Sequence, residues 1–196
     1  MQASAMYTLP SRRYTAGLAY AKNYCTMHSP SFPTRIIPPP PPGWPSWEAL
    51  MHLALAEAAK ASHAAEVPVG ALVVNGNGTI IAAAHNSPEA LHDPTAHAEI
   101  LALRAAGTAA GNYRLEGCVL VVTLEPCMMC AGAMAHARIA GVVYGATDPA
   151  AGAVASRLEA LDQPFLNHHP WHMGGICEAE CKEIMKEFFR GKRQGE

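Results

Sequence analysis

Two short stretches decide how this chain folds: "DPTAHAEI", Asp93 to Ile100, and "TLEPCMMC", Thr123 to Cys130. Each puts polar, metal-seeking side chains beside a proline inside an apolar neighbourhood. Proline is tolerated at the start of a helix, because the N–H it lacks would have no intrahelical partner there. Pro94 and Pro126 therefore read as helix starts, with Asp93 or Thr95 as the cap of the first. On this reading His97 and Glu99 occupy the first turn of one helix, and Cys127 and Cys130 the first turn of the next. Two helix N-termini can then converge on one point.

The text between and around these stretches supplies the scaffold. Trp47, Leu50, Met51, Ala54, Leu55 and Ala58 recur at helical spacing, so a first helix starts at Trp47 and ends before Pro68. Val67 to Val74 and Thr79 to Ala84 read as strands joined by the turn signal "NGNG", Asn75 to Gly78. Asn86 to Pro94 reads as a loop, and about Thr95 to Ala109 as a helix. "CVLVVTL", Cys118 to Leu124, is a Val-rich run suited to a buried strand. Cys127 to His136 is a short helix and Ala140 to Tyr144 another buried strand. That order implies parallel pairing with helices covering the sheet. Residues 145 to 170 read as loop with one helical turn, and Ile176 to Arg190 as a closing amphipathic helix. The expected fold class is α/β.

The chain has 196 residues, enough for one sizeable core. Residues 1–45 differ from the rest and end in "IIPPPPPGWP", a run that favours polyproline II and blocks helix. They read as a disordered Pro-rich extension or a misassigned start. An Arg- and Ser-containing transit peptide is the rival reading. Residues 46–196 form the folded domain. No apolar run is long enough to span a membrane. The six cysteines follow no secreted framework and no secretory signal precedes them, so reduced thiols and a cytoplasmic setting are expected. Residues 1 to 47 hold four cations and no acid. Residues 48 to 196 hold ten Lys and Arg against sixteen Asp and Glu, a net of −6. That bulk charge argues mildly against a nucleic-acid partner. The cluster Arg190, Lys192 and Arg193 points the other way.

Cys127 and Cys130 share a helix face, and a helix N-terminus favours the thiolate that binds metal. With His97 they make three ligands for tetrahedral Zn²⁺, leaving a fourth position for water, the pattern of a catalytic site. Zinc brings such a water to a pKa of about 7. Glu99, two residues past His97, can approach without joining the ligands and move the proton. A redox Cys-x-x-Cys pair or a structural zinc module are the alternatives, and neither has a use for Glu99.

His97-Ala98-Glu99 and Pro126-Cys127-Met128-Met129-Cys130 resemble the signature of the zinc nucleobase deaminases. "EVPVGALVV" from Glu66, "HNSPEALHDPTAHAEILALR" from His85, "TLEPCMMCAGAMAHARI" from Thr123 and "VVYGATDPAAGA" from Val142 narrow the likeness. They resemble the bacterial tRNA-specific adenosine deaminases, from about Trp47 to Arg190. The resemblance implies the cytidine-deaminase-like fold, a three-layer α-β-α arrangement around a mixed five-stranded sheet, together with one zinc per subunit, a homodimer, and hydrolysis of adenosine to inosine at the wobble position of a tRNA anticodon stem-loop. It further implies that Asn86 hydrogen-bonds the base, that Val69 lines the pocket, and that Ala98 and Pro126 contribute backbone near the reacting group. Asp148 would lie near flanking nucleotides, and His168 would face the RNA. Arg190, Lys192 and Arg193 could touch phosphates. A deaminase of a free base or nucleotide on the same scaffold is the rival function. Pro170 and Trp171, in "NHHPWHMGGI", depart from the family pattern and suit only an edge strand.

Overall fold

The computed structural model describes residues 39–194. The expectation for residues 1–38 lies outside them. The elements run α1 (Trp47–His63), β1 (Gly70–Val74), β2 (Ile80–His85), α2 (Pro88–Leu91), α3 (Ala98–Ala110), β3 (Val119–Leu124), α4 (Met128–Ala137), β4 (Gly141–Ala146), a 3-10 turn (Ala160–Asp162), β5 (Trp171–Gly174) and α5 (Glu178–Gln194).

One mixed sheet has the order β2-β1-β3-β4-β5. β1 pairs antiparallel with β2 and β3, whereas β3–β4 and β4–β5 are parallel. The parallel pairs follow from the crossovers through α4 and through the long segment after β4. Period-two alternation sends successive side chains of each strand to opposite faces. Leu72, Val74, Val119, Val121 and Val143 pack with Trp47, Leu50, Met51 and Ala54 of α1 and with Cys181 of α5. Ala71, Val73, Leu120, Val122, Val142 and Tyr144 pack with Ile100 and Leu103 of α3 and Met134 of α4. The result is the expected three-layer α-β-α fold.

Gly70 lets the layers close. A methyl group there would overlap the Ala54 carbonyl oxygen of α1. The hairpin turn is braced by Trp44, whose indole N–H donates to the Gly76 carbonyl at 3.4 Å and whose ring stands edge-on to Trp47.

Several boundaries differ from the sequence reading. β1 begins at Gly70 rather than Val67, and the expected loop after Asn86 contains the short helix α2 with Pro88 in its first turn. α3 begins at Ala98, so Pro94 lies in a preceding turn and not at the helix start. Asp93 shapes that turn: its Oδ1 accepts from the Thr95 amide at 2.8 Å and the Thr95 hydroxyl at 2.6 Å. Neither Asp93 nor Thr95 caps α3. Pro170 immediately precedes β5, which is an edge strand, the placement that proline permits.

The topology gathers the critical residues on one end of the sheet. Gly70 opposes His85, Ala71 opposes Val122, and Leu124 opposes Ala146. The start of β1 and the ends of β2, β3 and β4 thus lie side by side. Val69, Asn86, Pro126 and Asp148 all extend from that one edge, outside the carboxyl ends of the parallel strands where open α/β sheets place their sites.

Candidate metal centre

His97 and Cys127 are the N-cap residues of α3 and α4, both with extended backbones. They therefore lie just outside the first turns in which the sequence reading put them, while Glu99 and Cys130 lie within. Neither side chain makes the usual cap hydrogen bond to a first-turn amide. The imidazole Nδ1 of His97 instead faces Cys127 Sγ at 3.7 Å and Cys130 Sγ at 3.6 Å. All three donor atoms fall within 4.8 Å of one another. Tetrahedral zinc with bonds of about 2.3 Å to sulfur and about 2.0 Å to nitrogen requires N···S edges of about 3.5 Å. The donor set and its spacing fit that ion.

The electrostatics follow from the convergence. A hydrogen bond from Cys130 holds the Cys127 thiol down to about 4, despite burial, with His97 assisting. The same bond, together with burial, pushes Cys130 up. The contact with Cys127 raises His97. Glu99 is almost fully buried, and burial raises its pKa, so the proton-bearing form is within reach.

Asn86 is buried, and its Oδ1 accepts from the Ala98 amide at 2.8 Å. It does for α3 what the displaced cap cannot. Its backbone amide donates to the Val69 carbonyl at 3.0 Å, which ties it to the start of β1. Val69 and Ala98 are buried, and the Pro126 carbonyl accepts from Ala153 at 2.8 Å. Asp148 is half-buried and turns inward on its own loop, its Oδ1 accepting from the Ala150 amide at 2.9 Å. His168 is also committed, with Nε2 2.6 Å from the Ile139 carbonyl, and does not stand free toward a ligand. Arg190, Lys192 and Arg193 are exposed at the end of α5.

One residue was in plain view in "TLEPCMMC" and received no role. Glu125 is buried at the end of β3. Its Oε1 accepts from the amides of Val154, Ala155 and Ser156 at 3.2, 2.8 and 2.8 Å. Its Oε2 accepts from the Asp148 amide at 3.0 Å and from the Ser156 hydroxyl. Burial alone raises its pKa, but these donors outweigh it and the carboxyl stays below its ordinary value. Cys127 bridges to Gly152 in this loop, and any side chain at Gly152 would overlap the Glu125 carboxyl. The available signal was a carboxylate closing an otherwise apolar strand, which needs buried donors to be tolerated.

With this geometry in view, comparison with known proteins places the chain. Residues 45–146 match the zinc-binding region of cytidine and deoxycytidylate deaminases. A tRNA-specific adenosine deaminase from Agrobacterium fabrum is 48% identical over 143 residues, spanning 73% of this chain and 93% of that protein. The chain belongs to the zinc-binding deaminase family. The Bacillus subtilis tRNA-specific adenosine deaminase is 44% identical over 75% of this chain and 91% of its own. A solved structure from work on A-to-I editing by tRNA:A34 deaminases superposes with a TM-score of 0.67 at 47% identity, over 69% of this chain and 98% of that one. The deaminase fold and zinc as the family's cofactor are thereby established for this chain.

Glu125→Ala is expected to lower unfolding stability by about 3 kcal/mol, because it strands buried amide donors. Hydrogen exchange at the Val154, Ala155 and Ser156 amides should accelerate in the same variant. Unchanged urea midpoint and unchanged exchange would show that the carboxylate does not hold this loop.

Proposed function

We propose that this chain is a zinc-dependent hydrolase that converts adenosine to inosine at the wobble position of a tRNA anticodon. The reaction class rests on one observation above all: an imidazole and two thiols at tetrahedral spacing, with the buried carboxyl of Glu99 beside them. The substrate rests on the tRNA-specific adenosine deaminases, whose lengths the chain spans almost entirely.

His97, Cys127 and Cys130 would hold the zinc. Bound there, it supplies Lewis acidity that makes a water nucleophilic near neutral pH. Glu99 takes a proton from the attacking water on a carboxylate oxygen and delivers it to the departing amino group. Water and adenosine become inosine and ammonia. Burial keeps this carboxyl free of bulk water and able to carry the proton in either direction. Asn86 offers its Nδ2 hydrogens to the base, held in place by the bond from Ala98 to its oxygen. Val69 packs the pocket wall, while the backbone of Ala98 and Pro126 borders the reacting group. The loop from Asp148 borders the flanking nucleotides. Residues Arg190, Lys192 and Arg193 offer charge to phosphates.

A cytoplasmic homodimer completes the reading. Met128 is 64% exposed in the first turn of α4, beside Cys127, an apolar side chain that an interface near the site would cover. No helix among the described residues is long and apolar enough to cross a membrane.

The decisive assay is inosine formation by zinc-loaded protein on an anticodon stem-loop with adenosine at the wobble position. Free adenine, adenosine, guanine and cytosine run in parallel. Only the stem-loop should react, and Glu99→Ala should retain zinc while losing at least about a thousandfold in turnover. Turnover of a free base alone would overturn the tRNA assignment and leave the zinc chemistry standing. Asn86→Asp keeps the acceptor for Ala98 but loses the amide donor. It should weaken kcat/KM by tenfold or more, about 1.4 kcal/mol, at unchanged melting temperature, whereas Asn86→Ala lowers both. Sedimentation should report twice the 20.8 kDa chain mass. A monomer active on the stem-loop would remove the dimer from this account.

A further inference from the structure

A second group of metal-ligating side chains assembles far from the deaminase site: His52, Cys177 and Glu180. His52 lies on α1, one position off the buried stripe of Leu50, Met51 and Ala54. Cys177 and Glu180 lie at the start of α5, at least 125 residues away in sequence. The fold clamps Cys177 between buried neighbours. Ile176 is buried on its N-terminal side, and Gly175 donates to the Tyr144 carbonyl at 3.0 Å. One turn later, Cys181 is buried and donates its amide to the Cys177 carbonyl at 3.0 Å.

The three donors address one spot. His52 Nε2 stands 3.1 Å from Glu180 Oε2 and 3.8 Å from Cys177 Sγ. A ring nitrogen is a donor or an acceptor, never both. The carboxylate calls for the ring N–H, which leaves the thiol with at best a weak share of that donor. A cation between the three satisfies all of them. We infer that His52, Cys177 and Glu180 form a second metal site, for a divalent transition ion of the zinc type, joining the first and last helices.

The chemistry selects the ion. One sulfur, one imidazole nitrogen and one carboxylate oxygen form a borderline-soft set suited to zinc, cobalt or nickel, not magnesium or calcium. Tetrahedral bonds of about 2.0 to 2.3 Å require edges of about 3.4 to 3.5 Å, within about 0.3 Å of the two distances from His52 Nε2, and the third edge lies within 4.8 Å. His52 and Glu180 are 56% and 58% exposed, so water can complete the shell without a fourth side chain. Burial and the nearby charges of Glu180 and Glu48 push the Cys177 thiol up. That same negative field attracts a cation, which displaces the thiol proton on binding. An exposed His–Glu ion pair alone contributes about 0 to 1 kcal/mol and has no use for the sulfur. The site lies on the α1/α5 side of the sheet, opposite α3 and α4, so its role is to fasten α5 rather than to turn over substrate.

The test starts from untagged, full-length protein holding one zinc per chain. Zinc is titrated in by calorimetry, and Co²⁺ is added separately for spectroscopy. Wild type should take up a second equivalent and melt at a higher temperature as it does so. His52→Ala and Cys177→Ser should bind that equivalent at least tenfold more weakly. The wild-type minus Cys177→Ser cobalt spectrum should show thiolate-to-metal charge transfer. Glu180→Gln should weaken binding with the thiolate band retained at saturation. Inosine formation should be unchanged in all three variants, which also verifies that they fold. No second equivalent in wild type would overturn the inference. So would equal uptake by His52→Ala and Cys177→Ser, since the metal would then sit elsewhere.

Discussion

The constraint on which the rest depends is that two helices surrender their N-caps. A helix start normally satisfies its free amides with a Ser, Thr, Asp or Asn side chain at the cap. Here the caps of α3 and α4 are His97 and Cys127, whose side chains turn to one another instead. The missing acceptors must come from elsewhere. For α3 the acceptor is Asn86, twelve residues upstream, which is thereby fixed beside the metal-ligating helix start. The metal centre and the placement of Asn86 are therefore consequences of one geometric debt at a helix end.

On the α4 side the start of the helix is held in place by a supporting loop. Glu125 gathers the amides of Asp148, Val154, Ala155 and Ser156 around a single carboxylate, and that loop bridges back to Cys127 through Gly152. A buried carboxylate without a cation is tolerated because several amides and a hydroxyl point at it. The loop is long and has little regular structure, yet its position is determined from a strand end. Asp148 accordingly sits just past the end of β4 with its amide held by Glu125 and its carboxylate engaged in its own turn.

The parts of this arrangement that were legible in the sequence are those with local signatures. The apolar stripe from Trp47, the Val-rich runs of β3 and β4 and the "NGNG" turn each carry their own periodicity or turn chemistry. The order of strands and helices then limits the sheet to a mixed one. His97, Glu99, Cys127 and Cys130 were legible because their residue types and spacing have few other uses. What local text could not convey was partnership at a distance. Pro94 and Asp93 look like a helix start, but Asp93 spends its oxygens on Thr95 and the helix waits until Ala98. His168 looks like a free surface imidazole, but the Ile139 carbonyl is its partner. Glu125 looks like a stray charge until the loop 23 to 31 residues later folds onto it.

Formal charge misleads for the same reason. The net of −6 over residues 48 to 196 counts every carboxylate as if it faced solvent. Glu66, Glu99 and Glu125 are buried, and Glu99 is shifted toward its neutral form. Glu57 is held between Lys60 and His85, with 15% of its side chain exposed. A polyanion approaching the site end of the sheet meets fewer open carboxylates than the composition implies. Potential at a surface depends on charges that reach it, and screening confines each to about 8 to 10 Å. The cations Arg190, Lys192 and Arg193 at the end of α5 are not subject to the same discount, because they are exposed and the contact of Lys192 with the Phe188 ring leaves its charge intact. The acidic composition is thus compatible with a nucleic-acid substrate, since part of it is consumed inside the fold, in building the loops that frame the metal centre.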